Sequence, residues 1–284
     1  MRPERPTDIN VVIYHADCPD GFGAAFAAWT VLGDDAAYLP VRYGESPPEI
    51  GYTNSVAILD FSYPRDILEK MILSAKQLIL IDHHASARDR LADINETHFD
   101  TTKSGAMLAW EYFHPGEKPP ILFEYIQDKD LWQWNLPNSR EFSAGLETIR
   151  KNFIEYQNLC RPKRIQEIIE VGKQIQQHIN LKVNRDLRRC LRYKFMGHSI
   201  GVLNTPFYHS DVGAALAKTC DIGVVWHYDY SLNCTKFSLR SAEPDKNVAE
   251  IAHLFGGGGH PMAAGFSVPG PVTDIRNVLK EDDQ

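Results

Sequence analysis

Aspartate and histidine side chains follow several apolar segments of this sequence, and these residue types suit metal binding. Carboxylates mixed with imidazoles, without thiolates, fit a hard or borderline divalent ion better than a structural zinc site. We expect manganese, with magnesium or cobalt as alternatives, and the set is large enough for two ions. The candidate ligands are His15, Asp17, Asp20, Asp60, Asp82, His83, His84, Asp128 and Asp130.

Two divalent ions about 4 Å apart form a standard arrangement for the hydrolysis of phosphate esters. A water that bridges the ions loses a proton near neutral pH and attacks phosphorus, while the ions neutralise the developing charge. The ligand set therefore predicts a metal-dependent phosphoesterase.

The best-defined candidate segment is the apolar run 78–81, which ends on Asp82-His83-His84. An uninterrupted apolar run suits a strand that is buried on both faces of a parallel sheet. Ligands bind at the carboxyl edge of such sheets. A single polar residue there would indicate an ordinary turn, whereas an acid and two adjacent histidines indicate a metal or substrate site.

The elements that must position these side chains alternate along the first half of the chain. Residues 9–14, 55–59 and 78–81 read as strands, and residues 22–32, 65–75 and 104–113 read as helices. This alternation predicts an α/β fold with a parallel sheet. Residues 121–126 form another apolar run before acids, and we group Asp128 and Asp130 with the strand-end candidates.

The second half has a different pattern. Residues 141–193 read as helical throughout, and strands then recur at 199–203, 222–228 and 234–239, with helices at 211–219 and 248–255. We predict an N-terminal catalytic domain over 1–160, a helical linker over 161–194 and a smaller C-terminal α/β domain over 195–284, with the active site in the cleft between the domains.

Four consecutive glycines precede His260. Such a run is costly in chain entropy, so it usually marks a place where the backbone must approach something closely. A flexible hairpin is the alternative, and we favour a loop that cradles a phosphate.

Composition narrows the class of protein. The net charge of −7 disfavours a duplex-binding surface. Five scattered cysteines disfavour a disulfide framework. The sequence has neither a run of roughly 18 apolar residues nor the apolar core of a signal peptide at its start, so we expect a cytoplasmic protein without a membrane partner.

These motifs together resemble the DHH phosphoesterases that carry a C-terminal DHHA1 domain, a superfamily that includes RecJ-type exonucleases and the small oligoribonucleases called nanoRNases. The resemblance covers nearly the whole chain. In this sequence Cys18-Pro19 separate two acids of the first motif, a spacing that departs from the usual one. The motif residues are His15, Asp17, Asp20, Gly21, Asp60, Asp82, His83, His84, Asp128, Gly257, Gly258, Gly259 and His260.

The resemblance implies a role for each position. His15 and Asp17 would bind the first ion, and Asp20, His83 and Asp128 the second, with Asp130 as the alternative to Asp128. Asp60 would bridge the two ions, Asp82 would orient a metal-binding ring, and His84 would face the scissile phosphate. The residues that would hold the terminal nucleotide or phosphate are Arg240, Ser241, Gly257, Gly258, Gly259 and His260.

The resemblance also implies a manganese-dependent phosphodiesterase of the 3′-5′ exonuclease type. Its substrates would be short single-stranded RNA or DNA, or linear dinucleotides. The resemblance leaves open whether the protein forms a homodimer. Cyclic nucleotides, adenosine phosphate-sulfate and polyphosphate are alternative substrates. A non-catalytic nucleic-acid-binding protein is the alternative from another class, and it predicts missing ligands.

Overall fold

The computed structural model describes residues 6–16 and 18–280. The chain divides into two compact units, Met1–Gln176 and Gln177–Gln284, which are the N-terminal and C-terminal units. The division falls inside a long helix and inside the residues 161–194 that the sequence predicts as a linker. The finer domain boundaries stay a prediction.

Five parallel strands form the sheet of the N-terminal unit, in the order β2-β1-β3-β4-β5. The predicted parallel sheet is thus confirmed. Two edge strands were not predicted, because one is mostly solvent-facing and contains Pro40 and the other has three residues. The strands are β1 (Val11–His15), β2 (Ala37–Val41), β3 (Ser55–Leu59), β4 (Gln77–Asp82) and β5 (Thr97–Phe99).

Helices connect and cover these strands. The helices that begin in this unit are α1 (Pro19–Leu32), α2 (Arg65–Ser74), α3 (Ala85–Leu91), α4 (Gly105–Phe113), α5 (Ile121–Asp130), α6 (Ser139–Leu146), α7 (Phe153–Leu159) and α8 (Pro162–Asp186).

Both faces of the sheet are covered by apolar side chains. Along β4, Ile79 and Ile81 belong to a core cluster that includes residues of α1, α4 and α5. Leu78 and Leu80 point to the opposite side and belong to a cluster that includes residues of α2 and α3. The uninterrupted apolar run of β4 therefore reflects burial on both faces.

Two predictions about secondary structure were wrong. The apolar run 121–126 lies in helix α5 rather than in a strand, because its buried residues recur at helical spacing and Pro120 stands at the helix start. The segment 141–193 is not helical throughout. Asn152 caps α7 after a break, and a strand begins at Leu191.

A mixed sheet of six strands forms the C-terminal unit, in the order β10-β11-β9-β8-β7-β6. Strands β7 and β8 pair in parallel, and the other neighbours pair antiparallel. The elements of this unit are β6 (Leu191–Phe195), β7 (His198–Asn204), α9 (His209–Ala217), β8 (Ile222–Asp229), β9 (Cys234–Ser241), α10 (Val248–Leu254), β10 (Gly258–His260) and β11 (Ala263–Pro269).

The α-helices of the two units range from 7 to 25 residues in length. Within residues 6–16 and 18–280, none of them combines the length and the apolar character that crossing a bilayer would demand. The predicted cellular location stays a prediction.

Candidate metal centre

The candidate site lies at the carboxyl edge of the parallel sheet. Strand β1 lies between β2 and β3. The chain passes from β1 to β2 on one side and then to β3 on the other, so the strand order reverses at β1. Ligands of open α/β sheets bind at such a switch point. His15 ends β1, Asp60 follows β3 and His83 follows β4. The topology therefore brings three separate motifs to one place.

His15 and Asp60 form one half of the site. The Nδ1 atom of His15 is 3.6 Å from Oδ2 of Asp60. The Sγ atom of Cys18 lies 3.2 Å from the same Nδ1 atom and 3.5 Å from the same carboxylate oxygen. Asp17, predicted as a ligand on this side, lies outside the described residues.

His83 forms the centre of the other half. Its Nε2 atom lies 3.3 Å from Oδ1 of Asp60, 3.5 Å from Oδ2 of Asp130 and 3.7 Å from Oδ2 of Asp20. Asp20, Asp60 and His83 are each 2% exposed, whereas the Asp130 side chain is 30% exposed. One buried imidazole thus faces three carboxylates that come from different segments.

The Asp20 carboxylate also caps the N-terminus of helix α4. Its two oxygens accept hydrogen bonds from the backbone N–H groups of Gly105 and Ala106, at 2.7 and 2.9 Å. Unpaired N–H groups at a helix start favour an anionic partner. These two bonds fix the position of Asp20 relative to the sheet edge.

Gly105 belongs to the site, and the sequence analysis missed it. A Cβ atom on Gly105 would lie 2.5 Å from Cβ and 2.6 Å from Oδ1 of Asp60, so a larger residue would displace this carboxylate. Asp60 itself has φ 54°, a left-handed conformation that is uncommon for non-glycine residues. Gly21 contributes in the same way, because a Cβ atom on it would lie 2.1 Å from the carbonyl oxygen of His15.

Asp82 orients the two residues that follow it. Its carboxylate accepts hydrogen bonds from the Ser62 hydroxyl and from the backbone N–H groups of His83 and His84. The same carboxylate lies 2.7 Å from Nδ1 of His84. Because a carboxylate accepts and does not donate, Nδ1 carries the proton of this contact. The His84 ring is thereby held in one orientation.

The two acids at the end of α5 have different surroundings. Asp128 is buried and accepts hydrogen bonds from the backbone N–H groups of Asn135 and Leu136, at 2.8 and 3.2 Å. Asp130 instead lies beside His83. Asp128 therefore organises the loop after α5, while Asp130 faces the cluster.

The charges of the cluster shift its pKa values. Burial alone would lower the pKa of His83, but Asp60, Asp20 and Asp130 raise it to about 10. Burial and the neighbouring carboxylates of Asp60 and Asp130 hold the pKa of Asp20 well above its ordinary value. For His84, the Asp82 carboxylate outweighs burial and raises the pKa to about 9. The negative charge of the carboxylates in this cluster therefore exceeds the charge that the histidines can balance, unless additional protons bind.

These residues fit divalent metal ions. Asp60 Oδ1 is buried and takes part in no hydrogen bond of good geometry, although His83 Nε2 is 3.3 Å away. Buried polar atoms normally have a partner, and an ion is one way to supply it. Among the described residues, three groups of possible ligand atoms lie close enough for shared coordination, namely those of His15, Cys18 and Asp60, of Asp20, His83 and Asp130, and of Asp60, Asp82, His83 and His84.

The substrate-binding residues predicted in the C-terminal unit lie on or near β9 and β10. Arg240, on β9, donates hydrogen bonds to the Ser210 hydroxyl at 2.7 Å and to the Leu239 carbonyl at 2.8 Å. Burial lowers the pKa of Arg240 to about 10. The Ser241 hydroxyl donates to the Glu243 carbonyl at 3.1 Å.

Three of the four consecutive glycines have structural reasons for being glycine. Gly256 has φ 74° and follows the end of α10, where left-handed backbone is common. A Cβ atom on Gly257 would lie 2.2 Å from the Gly265 carbonyl, and Gly259 has φ 144°. Gly258 has ordinary space around it, with the His253 ring 3.5 Å away. A role of this segment and His260 in phosphate binding stays a prediction.

Comparisons with known proteins identify relatives along most of the chain. No family model matches it. An uncharacterized protein of Acanthamoeba polyphaga mimivirus is 27% identical over 92% of this chain and 68% of its own length. The oligoribonuclease NrnB of Bacillus subtilis is 21% identical over 93% of this chain and 74% of its own length.

Two solved structures share the fold. A pGpG-specific phosphodiesterase, PggH of Vibrio cholerae, has a TM-score of 0.54 at 16% identity, covering 95% of this chain and 96% of its own. An exopolyphosphatase-related protein of Bacteroides fragilis has a TM-score of 0.52 at 16% identity, covering 96% and 91%. The fold therefore matches that of these two proteins, and one relative by sequence is named as an oligoribonuclease.

Proposed function

We propose that this protein is a metal-dependent phosphodiesterase that hydrolyses short oligonucleotides or linear dinucleotides. The observation that supports this proposal best is the position of Asp60 between two groups of ligand atoms, one with His15 and one with His83. Such sharing suits a carboxylate that bridges two ions. The named relative that is an oligoribonuclease supports the choice of substrate.

We assign the ligands from the residue contacts. The first ion would take His15 and Asp60, together with Asp17, which keeps its role from the motif. The second ion would take Asp20, Asp60 and His83, and we favour Asp130 over Asp128 because Asp130 faces His83. When bound, the ions, which we expect to be manganese, would act as Lewis acids and lower the pKa of a water to near neutrality.

The protein's own groups supply positioning and charge. His84 is held through Nδ1 by Asp82, which fixes the orientation of a ring that we assign to the scissile phosphate. In the metal-free cluster the Asp82 carboxylate raises the pKa of His84 to about 9, and a protonated ring there would stabilise negative charge on the phosphate. Asp82 thus acts as a positioning residue.

Residues of the C-terminal unit complete the proposal from the motif resemblance. Arg240, Ser241 and the glycine segment 257–260 are assigned to the terminal nucleotide or phosphate. A guanidinium group suits such a ligand because it forms charge-assisted hydrogen bonds with phosphate oxygens. Degradation from the 3′ end follows the same resemblance and is part of the proposal.

A substrate panel tests this function. Purified protein is incubated with manganese and with labelled dinucleotides, bis-p-nitrophenyl phosphate, RNA and DNA of several lengths, cyclic dinucleotides, polyphosphate and pyrophosphate. We expect metal-dependent release of mononucleotides, with dinucleotides and short oligomers cleaved fastest and activity lost on chelation. If dinucleotides and bis-p-nitrophenyl phosphate both stay intact while manganese is bound, the enzyme assignment is wrong.

A further inference from the structure

Cys18 lies among the atoms assigned to the first ion, although the sequence motif does not count it as a ligand. Its Sγ atom is 3.2 Å from Nδ1 of His15 and 3.5 Å from Oδ2 of Asp60, and those two atoms are 3.6 Å apart. Sulfur, nitrogen and oxygen therefore form a nearly equilateral triangle.

The size of this triangle matches a coordination site. With bonds of about 2.0 to 2.3 Å, neighbouring ligands of a tetrahedral or octahedral ion lie roughly 3 to 3.6 Å apart. In the absence of an ion, hydrogen bonds link the same atoms: the Cys18 thiol donates to Asp60 Oδ2, and His15 Nδ1 is a donor or an acceptor according to its tautomer. The Oδ1 atom of Asp60 faces His83 instead, so the inference is carried by the three atoms His15 Nδ1, Cys18 Sγ and Asp60 Oδ2, which lie close enough together to share one ion.

Cys18 also has a structural role, which does not require sulfur. It precedes α1, and its Sγ atom accepts a hydrogen bond from the Gly21 N–H group at 3.1 Å. Serine, threonine, aspartate and asparagine are the preferred residues at this helix position, and a hydroxyl would serve as well. Serine at position 18 would therefore keep the cap and remove the thiolate ligand.

We infer that Cys18 is a ligand of the first ion and makes that site softer than one built from oxygen and nitrogen alone. This inference rests on the proposed function, because it concerns the same metal centre. On binding, the thiol proton passes to solvent and the sulfur coordinates the ion. Thiolate coordination favours cobalt and zinc over magnesium, so the first site is expected to discriminate against magnesium more strongly than the second.

Cobalt spectroscopy tests the inference without reference to turnover. The full-length protein is titrated with Co²⁺, and the near-ultraviolet charge-transfer band of thiolate-bound cobalt is recorded for wild type, Cys18→Ser and Cys160→Ser. Cys160 is the matched control, because it is a half-buried cysteine of the same unit whose Sγ atom contacts the Tyr156 carbonyl. We expect the band in wild type and Cys160→Ser and its loss in Cys18→Ser.

The affinity of the first site should also change. The Cys18→Ser variant should bind the first Co²⁺ ion at least about 10-fold more weakly. Replacing even a residue that only hydrogen-bonds to a metal ligand typically lowers metal affinity about 10- to 100-fold. Alkylation of Cys18, located by mass spectrometry, should be slowed by Co²⁺ in wild type, whereas alkylation of Cys160 should not change.

The outcomes separate this inference from the proposed function. If cobalt binds with nitrogen and oxygen ligands, without the band and without protection of Cys18, the inference is overturned while the metal centre stands. Persistence of the band in Cys18→Ser also overturns it. If cobalt does not bind at all, the metal centre and this inference both fail.

Discussion

The cluster of His15, Asp20, Asp60 and His83 and the glycine segment 256–260 both stand out in the sequence, but the structure explains them differently. In the C-terminal segment, helix termination, close packing and backbone conformation account for three of the four glycines. In the N-terminal cluster, the Asp20 carboxylate caps α4, but the fold gives no such reason for the buried Asp60 and His83 side chains, which face each other. Unusual residues that the backbone does not explain are the stronger evidence for chemistry.

The largest expected effect comes from Asp60, which contacts both halves of the cluster. Asp60→Ala should reduce metal-dependent phosphodiester hydrolysis by more than about 10²-fold. Replacing a residue that only hydrogen-bonds to a metal ligand already lowers metal affinity or activity by up to about that factor. Turnover and manganese affinity are measured together. Asp66→Ala, which removes an exposed carboxylate on α2, is the control. Retention of most activity by Asp60→Ala would refute the bridging assignment.

Substitution of the acids of α5, Asp128 and Asp130, should give the next largest effect. The two substitutions distinguish a metal ligand from a residue that supports the fold. Asp130→Asn should weaken the second manganese by about 10- to 100-fold and leave thermal stability nearly unchanged. Asp128→Asn should lower the free energy of unfolding by about 1–3 kcal/mol, since a buried hydrogen-bond acceptor of two N–H groups is altered. Calorimetry and metal titration on both variants are the measurements. The opposite pattern would assign Asp128 as the ligand.

Proton release should be a smaller effect that is specific to the cluster. Without metal, the pKa of His83 is raised to about 10, so the ring is protonated at pH 7 and must lose its proton to coordinate an ion. Apparent manganese affinity should therefore rise by up to about tenfold per pH unit from neutrality towards pH 10.

Titration calorimetry in buffers of different ionisation enthalpy counts the released protons. His83→Gln should release about one proton fewer at pH 7. His98→Gln, at an exposed position of β5, should release as many as wild type. Equal proton release in wild type and His83→Gln would exclude His83 as a ligand.

The glycine segment should show the smallest effect on chemistry. Gly257→Ala should cost about 1–3 kcal/mol of unfolding free energy, because its Cβ atom would overlap the Gly265 carbonyl. Manganese affinity should stay at the wild-type value. A marked loss of manganese binding would contradict the separation of the two regions.

Gly258→Ala sharpens the comparison, because this position has room for a methyl group. If the segment binds phosphate as proposed, Gly258→Ala should raise the KM for dinucleotides while leaving the melting temperature unchanged. Gly51→Ala, at another open position, should change neither quantity. An unaltered KM in Gly258→Ala would leave the segment with a structural role alone.

The three inner strands of the parallel sheet and their polar ends could be predicted from sequence, because uninterrupted apolar runs that alternate with helices are local signals. The choice between Asp128 and Asp130 could not be. Both acids follow the same apolar run, and which of them reaches His83 depends on α5 being a helix and on how it packs. The contact between Gly105 and Asp60 is likewise tertiary, although glycine at a helix start is a weak signal of close packing.

Anomalous diffraction from crystals grown with manganese tests the central claim most directly. The account predicts two manganese peaks on either side of the Asp60 carboxylate, one among His15, Cys18 and Asp60 and one among Asp20, His83 and Asp130. A single peak, or peaks away from Asp60, would contradict the two-ion centre.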